Sequence, residues 1–223
     1  MTVAVATAPK KRRKSGVPSY LIYETLNGRA LYYRGYRDVT TGKKTPAEIM
    51  GSSSLQAMLV SLVHGFLFTH INRKIYLLTT NESGIHLDRG NNLSNDIAIF
   101  DKSSGLILTD KYFTVPPKIA IEVDVRIEPE EFSGKESGYV YAKTERLLAF
   151  GVETVIWITT EPKKIFVATR TAPWITQNWD ASVPVLDDVV LNLAELLYEE
   201  DIAFYRRLFF IDRYSQQIPG SVR

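Results

Sequence analysis

The sequence predicts a protein of the α/β (α+β) class, one domain in which helices flank a central sheet, and three stretches carry that expectation. Residues 118–125, Lys-Ile-Ala-Ile-Glu-Val-Asp-Val, alternate with the period of two that marks a strand. Residues 152–159, with Val155-Ile156-Trp157-Ile158 at their centre, form a nearly unbroken apolar run, as a strand buried on both faces in the middle of a sheet requires. Leu55, Met58, Leu59, Leu62, Val63, Phe66 and Leu67 recur at the spacing of a wide apolar helix face that belongs in the core.

Composition sets the bounds. With 223 residues, 45% of them hydrophobic and 23% charged, the chain suffices for one sizeable core. There is no cysteine, which excludes a disulfide framework, a thiolate metal site and a cysteine nucleophile, and makes the cytoplasm the expected location. No apolar run approaches the roughly 18 residues of a membrane span, and the expectation is no membrane partner. The net charge is +2, yet Lys10, Lys11, Arg12, Arg13 and Lys14 alone supply five positive charges, so the remaining chain is slightly acidic. The basic run is a phosphate-seeking arm that contacts nucleic acid, a nuclear-import-like signal or a solubilising tail with no specific partner. The expected division is a basic tail over 1–16, one domain over 17–212 and a C-terminal tail over 213–223.

Residues 20–26 and 29–34 flank Asn27-Gly28, a pair suited to a type I′ turn, and predict an N-terminal hairpin with a structural role. Thr45-Pro46 predicts a helix start, with a break and restart at residues 52–54. Residues 74–80 predict a strand, 81–95 a turn-rich stretch, and Asp96-Ile97-Ala98-Ile99-Phe100 a strand that Asp96 opens. A polar loop over 103–117 leads to the strand at 118–125. Residues 139–150 predict a helix closed by Gly151, residues 165–169 another strand, and residues 191–197 and 202–208 two C-terminal helices.

Several side chains on these elements carry chemistry. Alternation puts Glu122 and Asp124 side by side on one face of their strand, where two like charges repel unless water or a cation lies between them. A divalent metal and a solvated strand edge are both open from this stretch alone. Lys143 falls inside the stripe Val140, Lys143, Thr144, Leu147 and Leu148, so it either snorkels to water or reaches the acidic pair. Asp96 satisfies turn amides or acts as a ligand. Glu48 and Gln56 are exposed or lean over the end of a neighbouring sheet. His64 and His70, six residues apart, do not stack on one helix face, and His86 is in a separate segment, so no histidine metal site is expected.

The order of a helix, an Asp at a strand start, Glu-x-Asp on a central strand, a helix with an inward Lys and a buried strand resembles the core of the PD-(D/E)xK nuclease superfamily. More closely it is similar to the Uma-two family of restriction-endonuclease type. The likeness is carried by Tyr23-Glu24-Thr25-Leu26-Asn27-Gly28, Ser54-Leu55-Gln56, Asn95-Asp96-Ile97-Ala98 and Pro116-Pro117-Lys118-Ile119-Ala120-Ile121-Glu122-Val123. It continues through Lys143, Phe150-Gly151-Val152 and Trp157, and spans roughly residues 17–170. Two departures stand out: Asn95 precedes Asp96 where the family has proline, and Asp124 replaces the superfamily lysine, whose counterpart in the family is on the following helix, at Lys143.

The resemblance implies a restriction-endonuclease-like core with a mixed sheet and a metal-dependent endonuclease acting on DNA. In that reading Asp96, Glu122 and the Val123 carbonyl hold Mg²⁺ (or Mn²⁺), Asp124 is a further ligand, and Gln56 and Glu48 are accessory. The metal lowers the pKa of a bound water, and Lys143 orients it or stabilises developing charge. A homodimer is left open. The rival expectation is a catalytically silent nuclease-fold module that binds nucleic acid or a protein partner, and a third is a purely structural domain.

Overall fold

The computed structural model describes residues 16–202. The basic run 10–14 and residues 203–208 of the expected last helix lie outside the described residues. Among those described, an eight-stranded mixed sheet is covered by helices on both faces.

Strands β1 (Ile22–Leu26) and β2 (Arg29–Tyr32) form the expected hairpin, and Asn27 and Gly28 both take the positive φ of a type I′ turn (55° and 75°). Two short helices follow, α1 (Tyr36–Thr40) and α2 (Ala47–Met50), then the 17-residue α3 (Ser54–His70). Ser53 caps α3, its hydroxyl accepting the Gln56 N–H at 3.1 Å. The expected apolar face is borne out: Leu59, Val63 and Leu67 are fully buried.

The turn-rich stretch expected over 81–95 is instead the long hairpin of β3 (Tyr76–Asp88) and β4 (Asn91–Asp101). Its Asn, Ser and Gly residues read locally as turns, but the ladder overrides that preference. One irregularity survives. Thr80 pairs with Ile97 and Ser83 with Asn95, so Asn81 and Glu82, both at positive φ, face the single residue Asp96 across a bulge. Asp96 therefore lies inside a strand and not at its start.

Strand β5 (Ile119–Val123) pairs antiparallel with β4 and parallel with β6 (Thr154–Thr160); β5 and β6 are joined through α4 (Glu136–Phe150), the crossover that parallel strands need. Gly151, at φ 126°, ends α4 by returning its N–H to the Leu147 and Leu148 carbonyls. Beyond lie β7 (Lys163–Thr169), β8 (Ile175–Asn178), β9 (Val183–Leu186), β10 (Val189–Leu191) and α5 (Leu193–Glu199). The last three strands carry no clean periodicity in the sequence.

The sheet order is β2-β1-β4-β5-β6-β7-β8, with β3 on β4. Ile97, Ile99, Ile119, Ile121, Val123, Ile156 and Ile158 pack with α3 and the C-terminal elements. Ala120, Val155 and Trp157 pack with Tyr139, Leu147 and Leu148 of α4 and with Leu26 and Leu31 of the hairpin. Both faces of β5 are thus covered, and all five of its residues are buried. The solvated strand edge is ruled out: Glu122 is 3% exposed, beneath α4. Among the described residues no helix is long and apolar enough to cross a membrane.

Candidate active site

Strand β4 changes partners partway along. Near its start it pairs with β1 through Thr25 and Asn92, and from Ile97 onward it pairs with β5. Between these contacts residues 93–96 have no strand on that side among the described residues, and side chains take over their backbone groups. The Ser94 N–H donates to Glu24 Oε1 at 2.9 Å, and the Ser94 carbonyl accepts from Lys143 Nζ at 2.7 Å. This gap in the ladder is where the chain gathers its buried charges.

Lys143 is fully buried, so it does not snorkel. The Lys143 ammonium meets Glu24 Oε1 at 2.8 Å, Glu122 Oε2 at 3.0 Å and the Ser94 carbonyl, and the rings of Trp157 and Tyr139 lie 5.6 and 5.8 Å away. Glu122 Oε1 accepts from the Asn95 side-chain amide, while Glu24 Oε2 accepts from Tyr139 Oη at 2.7 Å. Trp157 Nε1 donates to Thr144 Oγ1 at 2.9 Å, which fixes the indole against α4. Glu24 is the site residue that sequence reasoning missed. Its hairpin read as structural, and the signal that marks it is the acid within Tyr23-Glu24-Thr25-Leu26-Asn27-Gly28.

Asp96 is buried nearby but engages differently. Its Oδ2 accepts the Val123 N–H at 2.7 Å, and Gln56 Nε2 donates to the Val123 carbonyl at 2.8 Å. Asp96 also lines a cavity of about 360 Å³ beside α3, with Ala57, Val60, His64, Thr80 and Glu82. A larger cleft of about 610 Å³ opens past the C-terminal ends of β5 and β6, lined by Arg34, Lys44, Gln56, Asp124, Arg126 and Thr160 among others. Ligands of open α/β sheets bind at such strand ends.

Burial decides the charge states. It raises the Asp96 carboxyl to about 6, against the pull of the Val123 N–H and Lys143. It raises Glu122 as well, against the same lysine and helped by the charges of Asp96 and Glu24. For Lys143 burial alone would lower the ammonium, but the charges of Glu122 and Glu24 carry it above its ordinary value. The 3.0 Å contact in a dry pocket favours the charged pair, with Glu122 more basic than an exposed carboxylate.

The structure brings Asp96, Glu122, Lys143 and Gln56 to one region, while Asp124 and Glu48 line the adjoining cleft with Gln56 and have their carboxylates held by other partners. Strand β5 ends at Val123, and Asp124 takes a left-handed backbone (φ 59°), which breaks the alternation that would have set it beside Glu122. The Asp124 carboxylate instead accepts from the Thr160 N–H at 2.7 Å and the Thr160 hydroxyl at 2.8 Å. Glu48 accepts from the N–H and hydroxyl of Thr45, at 2.7 and 2.8 Å, in a capping arrangement that holds its carboxyl below the ordinary value.

The donors suit a hard divalent cation in kind. Glu24 and Glu122 hold one ammonium with the buried Asp96 nearby, and among the described residues the buried Asn95 side-chain oxygen has no hydrogen-bond partner. They are not gathered for one: among the described residues no three His, Asp or Glu side chains converge on a point.

No protein-family model and no curated protein matches the chain. Among solved structures it is similar to a protein of Anabaena variabilis described as a putative nuclease belonging to DUF820, with a TM-score of 0.54 and 16% identity over 78% of this chain and 89% of that one. At this identity the likeness concerns the fold. A mixed central sheet flanked by helices, the architecture expected from the sequence, is what the two share.

Proposed function

We propose that the protein is a metal-dependent endonuclease that hydrolyses DNA phosphodiester bonds at the gap between β1 and β5. The observation that carries this reading is the fully buried Lys143, held at 3.0 Å from Glu122 among more carboxylates than one ammonium can balance. A structural ion pair has no need of the surplus, whereas a cation site does. Asp96 and Glu122 would hold Mg²⁺ or Mn²⁺, with the orphaned Asn95 oxygen close to Glu122 as a further donor. Bound there, the metal would supply an activated water and neutralise charge on the phosphate.

The chain's own residues have three tasks in this reading. Asp96 and Gln56 fix the Val123 peptide, Asn95 and Lys143 orient Glu122, and Lys143 keeps positive charge beside the reacting phosphate. The run Lys10, Lys11, Arg12, Arg13 and Lys14 adds phosphate affinity without sequence choice, so deleting residues 1–15 should flatten the salt dependence of DNA binding and leave the fold intact. The test is cleavage of single- and double-stranded DNA, and of RNA, with Mg²⁺ or Mn²⁺ by wild type and Glu122→Ala. Cleavage that survives Glu122→Ala would remove the site as drawn.

One observation favours the silent module: both Glu122 oxygens and all three Lys143 N–H groups already have partners inside the protein. Wild type that binds DNA and metal yet never cleaves would select that reading.

A further inference from the structure

An ammonium has three N–H groups, and those of Lys143 have three partners of unequal permanence. The Ser94 carbonyl, at 2.7 Å, belongs to the backbone of β4 and cannot leave. Glu24 Oε1, at 2.8 Å, cannot readily leave either, because the Glu24 carboxylate is itself held by the Ser94 N–H at 2.9 Å, the Ser94 hydroxyl at 3.0 Å and Tyr139 Oη at 2.7 Å. Glu122 is the third partner, and among the described residues only the Asn95 amide holds it apart from Lys143. Two contacts form a fixed cradle and one is exchangeable.

We propose that Glu24 is the positioning residue of the site: with the Ser94 carbonyl it locks two N–H groups of Lys143, so that the third is aimed at Glu122 and is released toward substrate when Glu122 turns to a cation. The second half of this statement rests on the nuclease reading; the first does not. The arrangement also explains why an acid on an N-terminal hairpin is buried at 3% exposure beneath α4: its ion-pair partner, Lys143, comes from that helix. Held this way the lysine keeps its place whichever partner Glu122 takes. Glu24 touches neither a reacting atom nor a metal, and acts through Lys143.

The test reads the ammonium directly. In the full chain labelled with ¹⁵N, the Lys143 Nζ signal, assigned by its loss in Lys143→Arg, should be sharp and slow to exchange with water, because all three protons are bonded and buried. Glu122→Gln should leave it visible, whereas Glu24→Gln should speed its exchange by on the order of 10-fold, since one fixed acceptor loses its charge. Unchanged exchange in Glu24→Gln overturns the proposal. If Glu24→Gln does not fold, Tyr139→Phe, which frees only the second Glu24 oxygen, is read in the same way, and exchange equal to that of wild type overturns the proposal.

Kinetics supply the second arm wherever wild type cleaves. Glu24→Gln should lower kcat by roughly 10- to 100-fold while KM and Mn²⁺ affinity stay within about threefold, the pattern of a lost transition-state interaction. Glu24→Gln combined with Lys143→Met should be no slower than Lys143→Met alone, because the two residues act as one unit. A further loss in the double variant overturns the proposal. Wild type that cleaves nothing sinks the nuclease reading alone, and the ammonium signal still decides the role of Glu24.

Discussion

Gln56 and Asp96 hold one residue from its two ends: Gln56 Nε2 donates to the Val123 carbonyl at 2.8 Å, and Asp96 Oδ2 accepts the Val123 N–H at 2.7 Å. The β4–β5 ladder runs out at Ile97 and Ile121, so these side chains finish what the ladder leaves undone. Gln56→Leu leaves the buried carbonyl without a donor and should destabilise the protein by about 1–3 kcal/mol. Urea unfolding checks the figure, and a midpoint equal to that of wild type would show the carbonyl finding another partner.

Metal binding should depend on Asp96 and Glu122 together. Calorimetry with Mn²⁺ is expected to show binding to wild type and to Asp124→Ala, whose carboxylate is already committed to Thr160. Binding should be lost in the Asp96→Ala, Glu122→Ala double variant. Heat of binding preserved in the double variant would place the cation elsewhere.

Lys143 separates a buried ion network from a snorkelling lysine. Were the side chain only covering apolar surface, Lys143→Met would be neutral. With its ammonium buried between Glu24 and Glu122, Lys143→Met strands two carboxylates and should cost about 3–5 kcal/mol at neutral pH. Lys143→Ala should in addition lower any cleavage by on the order of 100-fold, as for the loss of a positioned electrostatic group. Denaturant unfolding of Lys143→Met beside wild type, and cleavage assays of Lys143→Ala with the same DNA and metal, check both.

Proton linkage gives a fourth expectation. Burial raises Asp96 from 3.8 to about 6, so between those values the folded protein binds more protons than the unfolded chain. The Asp96 contribution to metal-free stability is therefore greatest below this window, falls as pH rises through it, and is constant above. Glu122 is shifted in the same direction and extends the trend. Thermal unfolding from pH 4.5 to 8 in chelator should show Asp96→Asn gaining on wild type as pH rises. An equal difference at every pH contradicts the shift. Because protons and cations compete for the same oxygens, Mn²⁺ affinity should weaken below about pH 6.

What the sequence disclosed followed from periodicity. The α3 stripe, the buried run of β6 and the inward Lys143 on α4 are all set by local spacing, and the structure keeps each of them. What it concealed depended on non-local pairing. The bulge opposite Asp96 requires the β3–β4 register, and the turn of Asp124 toward Thr160 requires the end of β6. The ammonium partner of Glu24 lies 119 residues away. The strand carrying Glu122 looked amphipathic because its alternation is real; the glutamate is nonetheless buried, since α4 covers the face that composition assigned to water.

That 119-residue span also orders events during synthesis. The hairpin leaves the ribosome first, carrying a carboxylate whose neutralising ammonium has yet to be made. Docking the hairpin before Lys143 exists would bury the carboxylate without its ammonium, at the cost of an unpaired charge or of the proton that neutralises it. A fragment ending short of residue 143 is therefore expected to leave the hairpin unseated, which limited proteolysis of such a fragment would check.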